Sequence, residues 1–123
     1  MKISVKNLVA GALTCLSMVT TQAESAIDSS KAAFYVGKEA MVCGTVSEVR
    51  SFSKGTYINI GARYPNQHIS FLVWETDNPK FNARFGGLSI FQGAKACAQG
   101  LVENYRSTLQ IKVSNPQFLR LIK

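Results

Sequence analysis

The chain has 123 residues, 46% of them hydrophobic and 17% charged, with 9 Gly and 3 Pro, which is the composition of one globular domain and excludes disordered or collagen-like sequence. Lys and Arg number 14 against 7 Asp and Glu, for a formal net charge of +7. With one His and three Cys, the chain lacks the ligands for a multi-metal site or a Cys-rich zinc cluster.

Met1 to Ala23 reads as a secretory signal peptide. Lys2 and Lys6 form a positive start, Leu8 to Val19 an apolar run, and Thr21-Gln22-Ala23 a small-residue exit, with cleavage expected before Glu24. The run is shorter than the about 20 apolar residues of a membrane span. A buried amphipathic helix and lipidation at Cys15, behind the poor lipobox Ala12-Leu13-Thr14, are the alternatives. Cleavage leaves residues 24–123 with a formal charge of +5 and no membrane span, in the periplasm or secreted. Cys43 and Cys97 remain. In an oxidising compartment they are most simply one disulfide, and otherwise two free buried thiols.

Glu24 to Ser30 is a polar lead-in. Ser29 or Ser30 caps a short helix over Lys31 to Tyr35, ended by Gly37. These residues, 24–36, precede a domain over 37–123. Met41 to Val49 is a first strand with Val42 and Val46 on one face. After the turn Ser53-Lys54-Gly55, Thr56 to Ile60 alternates, with Ile58 and Ile60 inward and Tyr57 and Asn59 outward. After Tyr64-Pro65-Asn66, His68 to Glu75 is a third strand that is apolar on both faces, Ile69, Phe71 and Val73 on one, Leu72 and Trp74 on the other. Such a strand is covered by a loop or helix, or offers one face to a ligand.

Asn78-Pro79 opens a short helix as N-cap and first residue. Phe81 and Phe85 share a face of it, and Gly86-Gly87 closes it. Lys95 to Asn104 is a fourth strand, Ser107 lies in a turn, and Leu109 to Val113 is a fifth, broken by Asn115-Pro116. Phe118, Leu119, Leu121 and Ile122 form an apolar tail that packs or pairs. The fold class is all-β with short helices. Five strands with a helix between the third and fourth is the order of the OB-fold barrel. In that barrel the first and fourth strands are neighbours, which brings Cys43 near Cys97.

Gly37-Lys38, Val42 to Val46, Thr56 to Gly61, Tyr64 to Gln67, Phe71 to Trp74 and Pro79-Lys80-Phe81 resemble bacterial exported OB-fold domains. Cys97, Gly100, Tyr105-Arg106, Gln110 to Val113 and Asn115-Pro116 continue the resemblance. Such domains occur alone behind signal peptides or joined to secreted nucleases, and they are described as nucleic-acid-binding. The resemblance therefore implies a binding module. Ser107 departs from it, since these domains often carry Gly after the Tyr-Arg pair, and this bears on the last hairpin.

No Ser/His/Asp pattern can be placed, and no Gly-rich phosphate loop is present, so neither an enzyme nor a cofactor is expected. His68, at a strand entrance, reads as solvated or capping. Thermonuclease, also an OB barrel, would need a metal-holding acid cluster. Glu75 and Asp77, with Arg84 or Arg106 nearby, are the available set, but acids at i and i+2 at a strand end are usually a solvated turn. A binding face is better supplied. Lys54, beside Arg50, lies on the first hairpin, Arg63 and Tyr64 on the second loop, Tyr105 and Arg106 on the last hairpin, and Tyr57 and Trp74 on the strands between. On an OB barrel these positions line the oligonucleotide groove. Cations attract phosphates and aromatic rings stack bases, so single-stranded nucleic acid with little sequence preference is the expected ligand. The alternative is an envelope protein or saccharide, or a place in a secreted assembly. Pentameric toxin B subunits are exported OB folds of this size with one disulfide.

Overall fold

A computed structural model of the protein describes residues 25–122. The signal-peptide reading of Met1 to Ala23 lies outside them. The elements are β1 (Ala26–Asp28), β2 (Glu39–Phe52), β3 (Gly55–Ile60), β4 (Ile69–Trp74), α1 (Asn78–Phe85), β5 (Lys95–Leu101), β6 (Glu103–Tyr105), β7 (Thr108–Lys112) and β8 (Leu119–Ile122). The protein is mostly β, with α1 between β4 and β5 as the sequence order requires.

The ladders run β6-β7-β4-β3-β2-β5-β8, and β1 joins β2. β4 and β7 are parallel, as are β1 and β2. The remaining pairs are antiparallel. This is an open sheet of eight strands, seven on one path and β1 beside β2, where a five-stranded, partly open barrel was expected. The extra strands have local causes. Val102 turns inward, fully buried, and splits the expected fourth strand into β5 and β6. The apolar tail pairs with β5 as β8, Leu119 opposite Ala98 and Leu121 opposite Ala96. Ala26–Asp28, expected within a polar lead-in, aligns with Met41–Cys43.

Other boundaries shift as well. The first helix is a 3-10 turn over Ser29–Tyr35, and its cap is Asp28, whose carboxylate accepts from the Ser30 backbone N–H at 3.0 Å. Ser29, expected as a possible cap, is instead buried against β2. A Cβ at Gly44 would collide with Ser29 and with the Ile60 side chain, so this contact requires glycine. Asn78 is the first residue of α1, not its cap, because a 3-10 turn over Glu75–Asp77 leads straight into the helix. Gly86 ends α1 in the left-handed region (φ 82°).

The core lies between the sheet and α1. Val42, Val46, Ile58, Ile60, Ile69, Phe71, Val73, Phe81, Phe91 and Ile111 are all buried in it. Phe81 and Phe85 share a helix face, and Phe85 meets Phe91 edge-on at 5.1 Å.

β2 carries a bulge at Ser47, where Val46 pairs with Ile60 but Glu48 with Asn59. Before the bulge, Ala40, Val42, Gly44 and Val46 face inward. After it Val49 does, and Glu48, Arg50 and Phe52 turn to the opposite side of the sheet. A one-residue insertion reverses the phase of a strand because side chains alternate with period two. The Gln92 side chain seals the bulge. Its Oε1 accepts from Val49 N–H and its Nε2 donates to the Ser47 carbonyl, both at 2.9 Å.

Cys43 and Cys97 sit directly opposite each other in the β2–β5 ladder and form a disulfide across a sequence separation of 54. A bridge closing a loop of this length restricts the unfolded chain. Replacing both with Ala lowers the unfolding free energy by about 2–5 kcal/mol in urea titrations. Peptide mapping of the unreduced, unfolded protein finds neither thiol free; labelling of both contradicts the bridge.

Candidate functional site

On the face turned away from the core, the phase change in β2 completes a polar and aromatic surface. β2 supplies Glu48, Arg50 and Phe52; β3 supplies Tyr57 and Asn59; β4 supplies Ser70, Leu72 and Trp74. In β7, Gln110 is registered with Ser70 and Lys112 with Leu72. The loop before β4 brings Tyr64 and Gln67, and the β6–β7 hairpin brings Tyr105 and Arg106. Together they enclose a concavity of about 350 Å³ lined by Arg50, Phe52, Tyr57, Asn59, Tyr64, Gln67, Ser70, Tyr105, Arg106, Thr108 and Gln110.

The floor is a hydrogen-bonded network. Glu48 Oε2 accepts from Asn59 Nδ2 and from the Tyr64 backbone N–H, both at 2.8 Å. Ser70 Oγ donates to Asn59 Oδ1 at 2.6 Å, and Gln67 Nε2 donates to Ser70 Oγ at 3.1 Å. Asn59 points outward, as its place in the alternation predicts, yet it is only 1% exposed. A buried amide is tolerated there because its partners replace water. Arg63 lies 3.5 Å from Glu48 Oε1 with its side chain 74% exposed, so the pair adds at most about 1 kcal/mol and the hydrogen bonds hold the carboxylate.

The walls are aromatic. Phe52 and Tyr57 stack at 4.8 Å, and Trp74 meets Phe52 edge-on at 6.4 Å. Arg50 lies over the Tyr64 ring at 5.0 Å and Arg106 over the Tyr105 ring at 5.3 Å. Each guanidinium is thereby held at the rim beside a flat apolar surface. Tyr64 and Tyr105 are half exposed.

The last hairpin resolves the question raised by Ser107. Arg106 (φ 52°) and Ser107 (φ 67°) both occupy the left-handed region, the geometry of a two-residue turn that favours glycine. Asn104 Oδ1 accepts from the Ser107 N–H at 3.0 Å and supports the turn without one.

Of the residues singled out in the sequence, the structure brings Tyr57, Tyr64, Tyr105 and Arg106 together. Lys54 stands exposed at the β2–β3 tip, outside the concavity, where its carbonyl accepts from Glu75 N–H at 2.7 Å. Arg63 is paired with Glu48, and Trp74 borders the aromatic cluster without lining the cavity. Arg50 belongs to the concavity, not to a loop. Phe52, Asn59, Gln67, Ser70, Thr108 and Gln110 were missed. The outward alternation that marked Tyr57 and Asn59 was the available signal for most of them. Elsewhere, His68 Nδ1 lies 2.8 Å from Ser29 Oγ, and Asp77 pairs with Lys80 at 3.3 Å.

No protein-family model matches this chain, and no curated protein matches it. Among solved structures it is similar to OB-fold proteins. A protein from Leishmania major assigned as an aspartyl-tRNA synthetase aligns with a TM-score of 0.57 and 17% identity, over 91% of this chain and 23% of that one. An OBody bound to hen egg-white lysozyme aligns with a TM-score of 0.57 and 15% identity, over 85% of this chain and 99% of the OBody. The Stn1-Ten1 complex of S. pombe aligns with a TM-score of 0.52 and 12% identity, over 69% of this chain and 58% of that one. The chain thus spans about a quarter of the synthetase and nearly all of the OBody. At these identities the likeness establishes an OB-type fold.

The Tyr64 N–H first, then the Asn59 amide, hold the Glu48 carboxyl below its ordinary value; Arg63 and Arg50 add attraction, and burial opposes them. A carboxyl with a depressed folded pKa contributes its full stability above its unfolded value and loses it as pH falls through the folded value. Unfolding free energy therefore declines as pH is lowered from about 6 to about 3. Glu48→Gln flattens that decline in urea titrations across the range. An acid limb identical to the unsubstituted protein's would show that Glu48 is not among its causes.

Proposed function

We propose that the protein is an exported OB-fold binding module that takes single-stranded nucleic acid in the concavity between β2, β3 and the β6–β7 hairpin. The observation that carries this reading is the pairing of Arg50 with Tyr64 and Arg106 with Tyr105 along one rim. Guanidinium groups beside flat aromatic rings offer phosphate contacts and base-stacking surfaces within one nucleotide's reach. Tyr57 offers the ring face not covered by Phe52. Lys54 at the β2–β3 tip and Arg63 beside Glu48 lie outside the concavity and add positive charge near it, and Trp74 borders its aromatic wall. The synthetase neighbour acts on a tRNA by its name, and the OBody is bound to a protein, so likeness of fold alone favours neither class of ligand. In the finer architecture, β6 follows β5 after Val102 alone, so the chain links the strand beside β2 to the strand beside β7, which supports reading the sheet as an OB barrel.

A labelled single strand titrated by fluorescence anisotropy tests the ligand class. Two neutralised phosphates give a log K against log salt slope of about −1.4. Arg106→Ala flattens it by about 0.7. Tyr57→Ala costs about 1–3 kcal/mol of binding. No binding at tens of micromolar protein in low salt would reject the reading in favour of an envelope protein or saccharide.

Export rests on the sequence of Met1 to Ala23. A Cys43–Cys97 disulfide suits an oxidising compartment. Among the described residues, no helix is long and apolar enough to cross a membrane. The intact mass of the envelope-fraction protein is expected to match a chain starting at Glu24. A mass that retains residues 1–23, or adds a lipid at Cys15, contradicts export by simple cleavage.

A further inference from the structure

The hydrogen-bond network on the groove floor has a direction, and the Glu48 carboxylate sets it. An ionised carboxylate only accepts, so Asn59 must turn its NH2 toward Glu48. Asn59 Oδ1 then faces Ser70, whose single O–H goes to it at 2.6 Å. Ser70 Oγ is left to accept, and Gln67 supplies its NH2 at 3.1 Å. Gln67 Oε1 ends the relay. Among the described residues it is the buried side-chain polar atom with no hydrogen-bond partner. The orientation of both amides thus follows from the chemistry of Glu48. The second glutamine of the groove behaves alike, since Gln110 Nε2 donates to Glu103 Oε2 at 3.2 Å. Each glutamine gives an N–H to the protein, while the guanidinium donors stand at the rim.

We propose that Gln67 Oε1 accepts a hydrogen bond from the exocyclic amino group of a nucleobase, so that the groove favours cytosine and adenine over thymine and uracil. The inference rests on the nucleic-acid reading above and names the part of the ligand that reaches the floor. Three features support it. Gln67 lines the groove between the aromatic walls, where a stacked base would direct its edge at the floor. The oxygen is recessed, so a donor must project to meet it. An exocyclic amine projects from the ring, whereas the N3–H of thymine or uracil is set back between two carbonyl oxygens that Oε1 repels. The terminal torsion of glutamine is broad, so the rigid amide can turn as a unit, moving Oε1 toward the cavity as the Nε2 contact to Ser70 lengthens. The amine then meets a buried carbonyl that has no partner within the described residues.

The test compares oligo(dC) with oligo(dT) of equal length by fluorescence anisotropy at one low salt concentration. The purified protein binds oligo(dC) about 3–10-fold more tightly, the range of one net hydrogen bond. Gln67→Met brings the affinities for the two strands within about twofold of each other. A second measurement needs no variant: replacing adenine in oligo(dA) by purine, which lacks only the 6-amino group, weakens binding by a similar factor. Equal affinity for dC and dT, or a preference that survives in Gln67→Met, overturns the role of Gln67 while leaving nucleic-acid binding in place. Failure to bind any strand removes the nucleic-acid reading and this inference with it.

Discussion

One extra residue in β2 decides which side chains this fold presents on the face turned away from its core. Without the bulge at Ser47, the inward phase of Val42 and Val46 would continue to Glu48 and Arg50, putting two charges into the core at a prohibitive desolvation cost. With it, the same strand contributes Val49 to the core and Glu48, Arg50 and Phe52 to the opposite face. The bulge leaves backbone groups out of the ladder, and Gln92 meets two of them with one side-chain amide. Gln92 reaches them from the loop before β5, so the groove's geometry depends on a residue far from it in sequence.

From Glu48 the groove is organised by charge and hydrogen bonding rather than by apolar packing. The carboxylate fixes the loop through the Tyr64 N–H and fixes β3 through Asn59. Tyr64 is held where Arg50 covers its ring. On the far wall, Arg106 and Ser107 adopt left-handed conformations that cost non-glycine residues about 1–2 kcal/mol each. The turn places the Arg106 guanidinium over Tyr105, so local strain accompanies a rim contact. The amide relay and the strained hairpin converge on one cavity, and the Glu48 carboxylate holds Asn59 of its lining.

Much of the fold was legible because alternation and turn chemistry are local. Ile58 and Ile60 against Tyr57 and Asn59 gave the two faces of β3, and Gly86 gave the end of α1. Cys43 and Cys97 lie on strands that the OB order makes neighbours, and the ladder sets them opposite each other. What escaped the sequence depends on partners distant along the chain. The bulge could not be seen because Gln92, which seals it, carries no local signature. Ala26–Asp28 is too short to show a period, and it is a strand because β2 offers it an edge. The alternation gives Asn59 only as outward, and the carboxylate of Glu48 and the hydroxyl of Ser70 explain its burial. Arg63 and Lys54 looked equivalent to Arg106 as loop cations; the difference lies in Arg63's ion pair and in where each loop points.

Binding is proposed on the face that the β2 bulge creates. Amide chemical-shift mapping of the labelled protein with a short single-stranded oligonucleotide tests this most directly. The account predicts shifts concentrated at Arg50, Tyr57, Asn59, Tyr64, Gln67 and Arg106, with Ala96, Ala98, Leu119 and Leu121 on the β5–β8 side unmoved. Shifts centred on β5 and β8, or none at saturating strand, would contradict it.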